Sequence, residues 1–195
     1  SSEPEAKEWL ALALRALKAN TRYFFSADGI YREGAHYYIF SLINFVPFLY
    51  HYRNASGVNG FEVFQPAFEW PVLIRNASGW MPNHEDAYIR PNPSQLAAAA
   101  YMDAPTRLHS SEPLGKVLQW NFRTTDYGPF DESLEETGFD YSGASWDYPL
   151  NIIEFLCYDP SIEAVAPDIS PTVFLDGGQT AFRNRWADPG PGQRY

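Results

Sequence analysis

One run of residues sharply limits the possible folds. From Tyr37 to Tyr52 the chain is apolar and aromatic, and it reads as a helix. The entry to that helix is Asp28-Gly29, a turn pair whose glycine takes positive φ without steric cost. Arg32, Glu33, His36 and several tyrosines crowd into the few residues between. So many ionisable and hydrogen-bonding groups at one loop-to-helix junction point to a polar cleft rather than to packing alone.

The rest of the chain reads mainly as helix. Ser2 is a plausible N-cap for a helix over Ala6 to Asn20, with acidic residues in its first turn and an apolar face of Trp9, Leu10, Leu12, Leu14 and Leu17. A second helix covers Glu33 to Arg53 and a third covers Phe61 to Arg75, with Pro66 and Pro71 expected to kink or interrupt it. Both end in Arg-Asn-Ala-Ser-Gly, at 53–57 and 75–79, where Asn and Gly suit a left-handed C-terminal cap. Further helices are expected over Ser94 to Met102 and Pro113 to Phe122, and Ser145 to Tyr158 is an apolar helix or strand. Prolines from Pro160 to Pro171 mark a linker. Beyond it, Thr172 to Leu175 and Gln179 to Trp186 read as two strands joined by Asp176-Gly177-Gly178, a hairpin signature. Short links between successive helices are what antiparallel helical hairpins require.

Composition narrows the function. The chain of 195 residues is 45% hydrophobic, enough to bury a core. Aromatics make up 17%, which fits either a large aromatic core or a carbohydrate cleft, since sugar C–H faces stack on rings. A net charge of −10 argues against nonspecific nucleic-acid binding, which relies on basic surface. It also requires that any polyanion be met by local positive charge, for which Arg22, Arg32 and His36 are at hand. The single Cys157, in an apolar run, excludes an intrachain disulfide and a multi-cysteine metal site. No apolar run is long enough to span a membrane, and no signal peptide is visible at Ser1.

Three stretches together resemble one enzyme group. Asp28-Gly29, Glu33-Gly34, Tyr37 and Phe40 form Asp-Gly-x-x-x-Glu-Gly-x-x-Tyr followed three residues later by an aromatic. This resembles the heparinase II/III-like polysaccharide lyases, which take in oligoalginate lyases and dermatan-sulfate epimerase-like enzymes. Phe40 stands where that family usually has tyrosine. Met81-Pro82-Asn83-His84-Glu85-Asp86 is similar to the family's Pro-Asn-x-x-Asp loop, and Phe174 to Trp186 to the start of its β-sandwich.

The resemblance implies a mainly α fold: an incomplete (α/α) toroid of antiparallel helical hairpins over 1–160, a linker over 161–171, and the first strands of an antiparallel β-sandwich over 172–195. An isolated hairpin is marginal in water, so the chain reads as a piece of a longer enzyme, periplasmic or extracellular in its parent form. The implied reaction is β-elimination on a uronic-acid polymer of alginate or glycosaminoglycan type, with no cofactor or metal. The C5 proton is removed, the C4–O bond breaks, and preorganised donors stabilise the developing enolate. A tyrosine suits both proton transfers, as acid or as phenolate base. By motif position Tyr37 is the catalytic candidate, with Tyr38 next. Arg32, His36, Tyr38 and His84 are the substrate-binding candidates, while Glu33 reads as an acceptor that fixes the turn. The family's carboxylate-neutralising Asn or His, and its sandwich His, have no match here. A non-catalytic carbohydrate-binding domain and an (α/α)-barrel hydrolase are the alternatives.

Overall fold

The computed structural model describes residues 3–76, 79, 81–82, 109–124 and 159–186. Expectations for Asn83 to His84, Ser94 to Met102, the acidic loop after Thr124, and Ser145 to Tyr158 with Cys157 lie outside these residues.

The described residues are mainly helical. Helix α1 spans Pro4–Phe24 and α2 spans Gly34–Ser56. A 3-10 turn, Phe61–Phe64, leads into α3, Gln65–Ile74, and α4 is Leu114–Arg123. Strands β1, Val173–Phe174, and β2, Thr180–Ala181, pair antiparallel with Val173 opposite Ala181. Both strands are shorter than expected; backbone pairing continues at the turn through Leu175 N–H on Gln179 O, and past Ala181 the Arg183 side chain turns to the end of α3.

Helix α3 is the centre. Every residue from Ala67 to Ile74 is buried, so the helix has no solvent face and must be covered on all sides. From α2, Tyr38, Leu42, Val46 and Leu49 recur at helical spacing to form one covering stripe, and Leu114, Val117, Leu118 and Trp120 of α4 form another. Each such side chain contributes roughly 1.5–3 kcal/mol by leaving water. Pro66 falls where the 3-10 turn changes to α-helix, a position at which a missing N–H costs nothing. Pro71 lies inside α3 without ending it.

The two Arg-Asn-Ala-Ser-Gly copies do different things. In the first, the helix runs through Ser56, and left-handed Gly57 (φ +74°) donates its N–H to Arg53 O at 2.8 Å. In the second, α3 stops at Ile74, Arg75 is extended, and Gly79 closes a separate turn onto Asn76 O. The difference comes from Arg75. It is buried and bonds Asn121 Oδ1 at 2.6 Å and Thr124 Oγ1 at 2.8 Å, which pulls the chain out of the helix.

Helix α1 departs from expectation. It begins with Glu3 as cap residue and Pro4 in the first turn, Ser2 being outside the described residues, and it continues through Phe24. Its apolar face is largely uncovered: Leu17 packs on the core, but Trp9 and Leu12 are 67% and 59% exposed. Residues 159–172 form an irregular strap along α4, with Val165 N–H on Lys116 O and the Asp168 carboxylate taking bonds from Ser110 and Ser111. Among the described residues no helix is long and apolar enough to cross a membrane.

Candidate functional site

The stretch before α2 folds as a tight hairpin. Phe25 and Tyr31 pair as an antiparallel bridge, Ser26 N–H bonds Ile30 O at 2.9 Å, and Gly29 turns the chain at φ +82°. A Cβ on Gly29 would stand 1.9 Å from Pro66 O, so the turn lies directly against the start of α3. Glycine is required there twice, for conformation and for space.

The distant Asp176-Gly177-Gly178-Gln179 turn docks on this hairpin. The Asp28 carboxylate takes the Gly177 N–H at 3.1 Å through one oxygen and the Ser26 hydroxyl through the other. Burial works to raise the Asp28 pKa, but the bonds from Ser26 and the Gly177 amide outweigh it and hold the carboxyl below its ordinary value. The Gln179 Oε1 accepts the Trp70 indole N–H at 2.8 Å. Further along, Arg183 donates to Leu73 O and Arg75 O, both at 2.8 Å, and so satisfies carbonyls at the end of α3.

Between the two turns lies a cleft of about 430 Å³, lined by Ser26, Ile30, Tyr31, Arg32, Gly34, Gly177 and Gln179. Two of its groups are aimed by chemistry rather than by chance. An indole N–H can only donate, so the amide oxygen of Gln179 faces Trp70 and its NH₂ faces away as a double donor. The buried Tyr31 hydroxyl accepts from Ser41 at 2.8 Å and reaches Glu33 at 3.4 Å; burial first, and Glu33 in addition, push its pKa up and keep it a phenol.

The sequence candidates are divided by this arrangement. Arg32 is exposed on the cleft wall. Tyr37, 42% exposed, stands three residues beyond cleft-lining Gly34, hence on the same face of α2. Tyr37 itself is not one of the residues that line the cleft. Tyr38 lies in the core instead: it is 0% exposed and its hydroxyl donates to Ala67 O at 2.9 Å. The offset of one residue rotates a helical side chain by about 100°, which separates the two tyrosines. His36 lies on the first turn of α2, its side chain outside what is described, and His84 lies outside the described residues. Glu33 accepts from Tyr31 at the turn.

Sequence reasoning passed over Ser26, Tyr31 and Gln179. Tyr31 and Ser26 sit beside the motif and could have been found there; Gln179 required knowing that the two Asp-Gly turns meet. Among the described residues no three His, Cys, Asp or Glu side chains converge to hold a metal ion. No protein-family model matches the chain, and no curated protein matches it.

Proposed function

We propose that this chain is part of a heparinase II/III-like polysaccharide lyase, with the helices belonging to an (α/α) toroid and the hairpin opening a β-sandwich. The observation that carries the reading is spatial. The first and third stretches of the resemblance, far apart in sequence, supply the two walls of one cleft. On those walls Arg32 and the Gln179 amide are donors suited to a uronate carboxylate, and an Arg guanidinium is the stronger because it is charged.

In this reading Tyr37 removes the C5 proton or returns one to O4. Neutralising the carboxylate beside C5 lowers the cost of the enolate, which is the work assigned to Arg32 and Gln179. Tyr38 belongs to the scaffold.

The test is a parent-length protein offered alginate, hyaluronan, heparan and chondroitin, with the ultraviolet absorbance of a new C4–C5 double bond followed in wild type and Tyr37→Phe. Absorbance that rises in wild type and is lost in the variant supports both the reaction and the residue. A rise that survives in the variant moves the role to another group. Saturated products would replace elimination by hydrolysis.

One observation favours a second reading. Tyr37 and Phe40, 42% and 44% exposed and three residues apart, form an aromatic strip on α2. A carbohydrate-binding surface would use that strip without the hydroxyl, and its sugar affinity would be unchanged in Tyr37→Phe.

A further inference from the structure

Most polar groups of the cleft are already engaged within the protein. Ser26 gives its hydroxyl hydrogen to Asp28 and accepts the Ile30 N–H at 3.0 Å. Asp28 takes the Gly177 N–H, Tyr31 O takes the Gly34 N–H at 3.1 Å, and Phe24 O takes the Arg32 N–H at 2.9 Å. The Tyr31 hydroxyl lies between Ser41 and Glu33. Among the described residues, the hydrogens left for a ligand are those of the Arg32 guanidinium and the Gln179 NH₂. A guanidinium never accepts a hydrogen bond. Gln179 is different, because a half-turn of its amide would exchange donor for acceptor.

Trp70 decides which way that amide is turned. Its indole N–H meets Gln179 Oε1 at 2.8 Å, and a flipped amide would set N–H against N–H there. The indole is 1% exposed, and the Tyr38 ring packs edge-on against it with centroids 5.2 Å apart. Close packing on all sides keeps the indole from swinging away.

We propose that Trp70 is a specificity-determining residue of the cleft: by locking the Gln179 amide it makes that wall a donor, and so selects an ionised carboxylate over the corresponding amide. The inference deepens the uronate reading of the cleft and rests on it. A carboxylate offers only acceptors, and Arg32 and Gln179 meet it with donors alone. A uronamide of the same shape carries an NH₂ in place of one oxygen, and that group faces a donor with no acceptor to receive it. Sites built from fixed hydrogen-bonding groups reject near-isosteres in this way. Trp70 acts through Gln179 and needs no contact with the ligand.

The test measures binding of tetrasaccharides from alginate, hyaluronan, heparan and chondroitin, each as the acid and as its primary uronamide. The proteins are parent-length wild type, Trp70→Phe, Gln179→Met and the double variant. Wild type should favour the acid. Trp70→Phe keeps an aromatic ring but loses the N–H, and it should cut the acid-to-amide affinity ratio by about 10-fold. Gln179→Met should cut the ratio to a similar extent, and adding Trp70→Phe to it should change the ratio no further. A core that was merely loosened would weaken both ligands alike and leave the ratio where it was. A ratio untouched by Trp70→Phe, or a further fall in the double variant, would overturn the assignment.

Nuclear spin relaxation of the Gln179 side-chain amide, its signal identified from Gln179→Met, judges the lock without any ligand. An NH₂ that is rigid in wild type and mobile in Trp70→Phe supports the lock, and equal mobility in both overturns it. A wild type that binds no acid of the panel sinks the uronate reading, and the selection with it, while the relaxation measurement still decides whether Trp70 holds Gln179.

Discussion

The Asp28 carboxylate accepts the Gly177 N–H at 3.1 Å across 149 residues of sequence. This bond joins the turn that opens the cleft to the turn that closes it, and it makes the site depend on both. In Asp28→Ala the Gly177 amide and the Ser26 hydroxyl lose their acceptor, an expected cost of roughly 1–3 kcal/mol by urea denaturation. The pH dependence has a definite sign. Because the folded carboxyl titrates below its ordinary value, its contribution is complete above that value and is lost as pH falls through the folded one. Asp28→Asn should flatten that part of the stability profile; an unchanged slope would show that other carboxylates produce it.

Gly29 and Gly178 offer a matched comparison. Both have positive φ, +82° and +90°, but a Cβ on Gly29 meets Pro66 O at 1.9 Å whereas one on Gly178 meets nothing within 4 Å. Gly178→Ala should cost about 1–2 kcal/mol, the left-handed strain alone. Gly29→Ala must also move backbone and should cost clearly more, with loss of cleft ligand binding. Equal melting temperatures for the two variants would refute this account of the turn.

Tyr37 and Tyr38 should behave oppositely. Tyr38→Phe removes a buried hydroxyl from Ala67 O and should lower stability by about 1 kcal/mol or somewhat more, leaving turnover per folded molecule intact. Tyr37→Phe should leave unfolding nearly unchanged and abolish double-bond formation. Parallel denaturation and absorbance assays on the two variants check both halves.

Asp168 should mark the acid limit of the strap. Bonds from Ser110 and Ser111 hold its pKa down to about 2, so the clasp is complete above the ordinary carboxylate value of 3.8 and opens as pH falls toward 2. Amide exchange at Ser111, which donates to this carboxylate at 2.8 Å, should accelerate over that interval relative to its neighbours. In Asp168→Asn the acceleration should be absent.

What could be read from the sequence was what local physics decides. The cap at Gly57, the turn at Asp28-Gly29 and the hairpin about Gly177-Gly178 each follow from a residue's own φ preference, and each is present. The second Arg-Asn-Ala-Ser-Gly looked identical, yet the burial of Arg75 against Asn121 and Thr124 changed its outcome. Helical spacing told which face Tyr37 shares with Gly34, but not that the face one residue on would be buried under Ala67. Trp70 and Gln179 are 109 residues apart with nothing periodic between them, and no pattern announces that their side chains meet. Nor does apolar spacing in α1 reveal that Trp9 and Leu12 remain exposed, because covering depends on the rest of the fold.

The Arg183 fork onto Leu73 O and Arg75 O, with the Gln179 amide ahead of it, has a consequence for biosynthesis. The ribosome delivers residues 26–34 long before 177–183, and loop closure over that separation carries an entropic cost that grows with its length. A nascent chain therefore holds Asp28 and the carbonyls at the end of α3 without these partners until residues 177–183 have emerged. The cleft has both of its walls only once the second turn has been made, and a nascent chain shorter than that cannot engage a ligand between them.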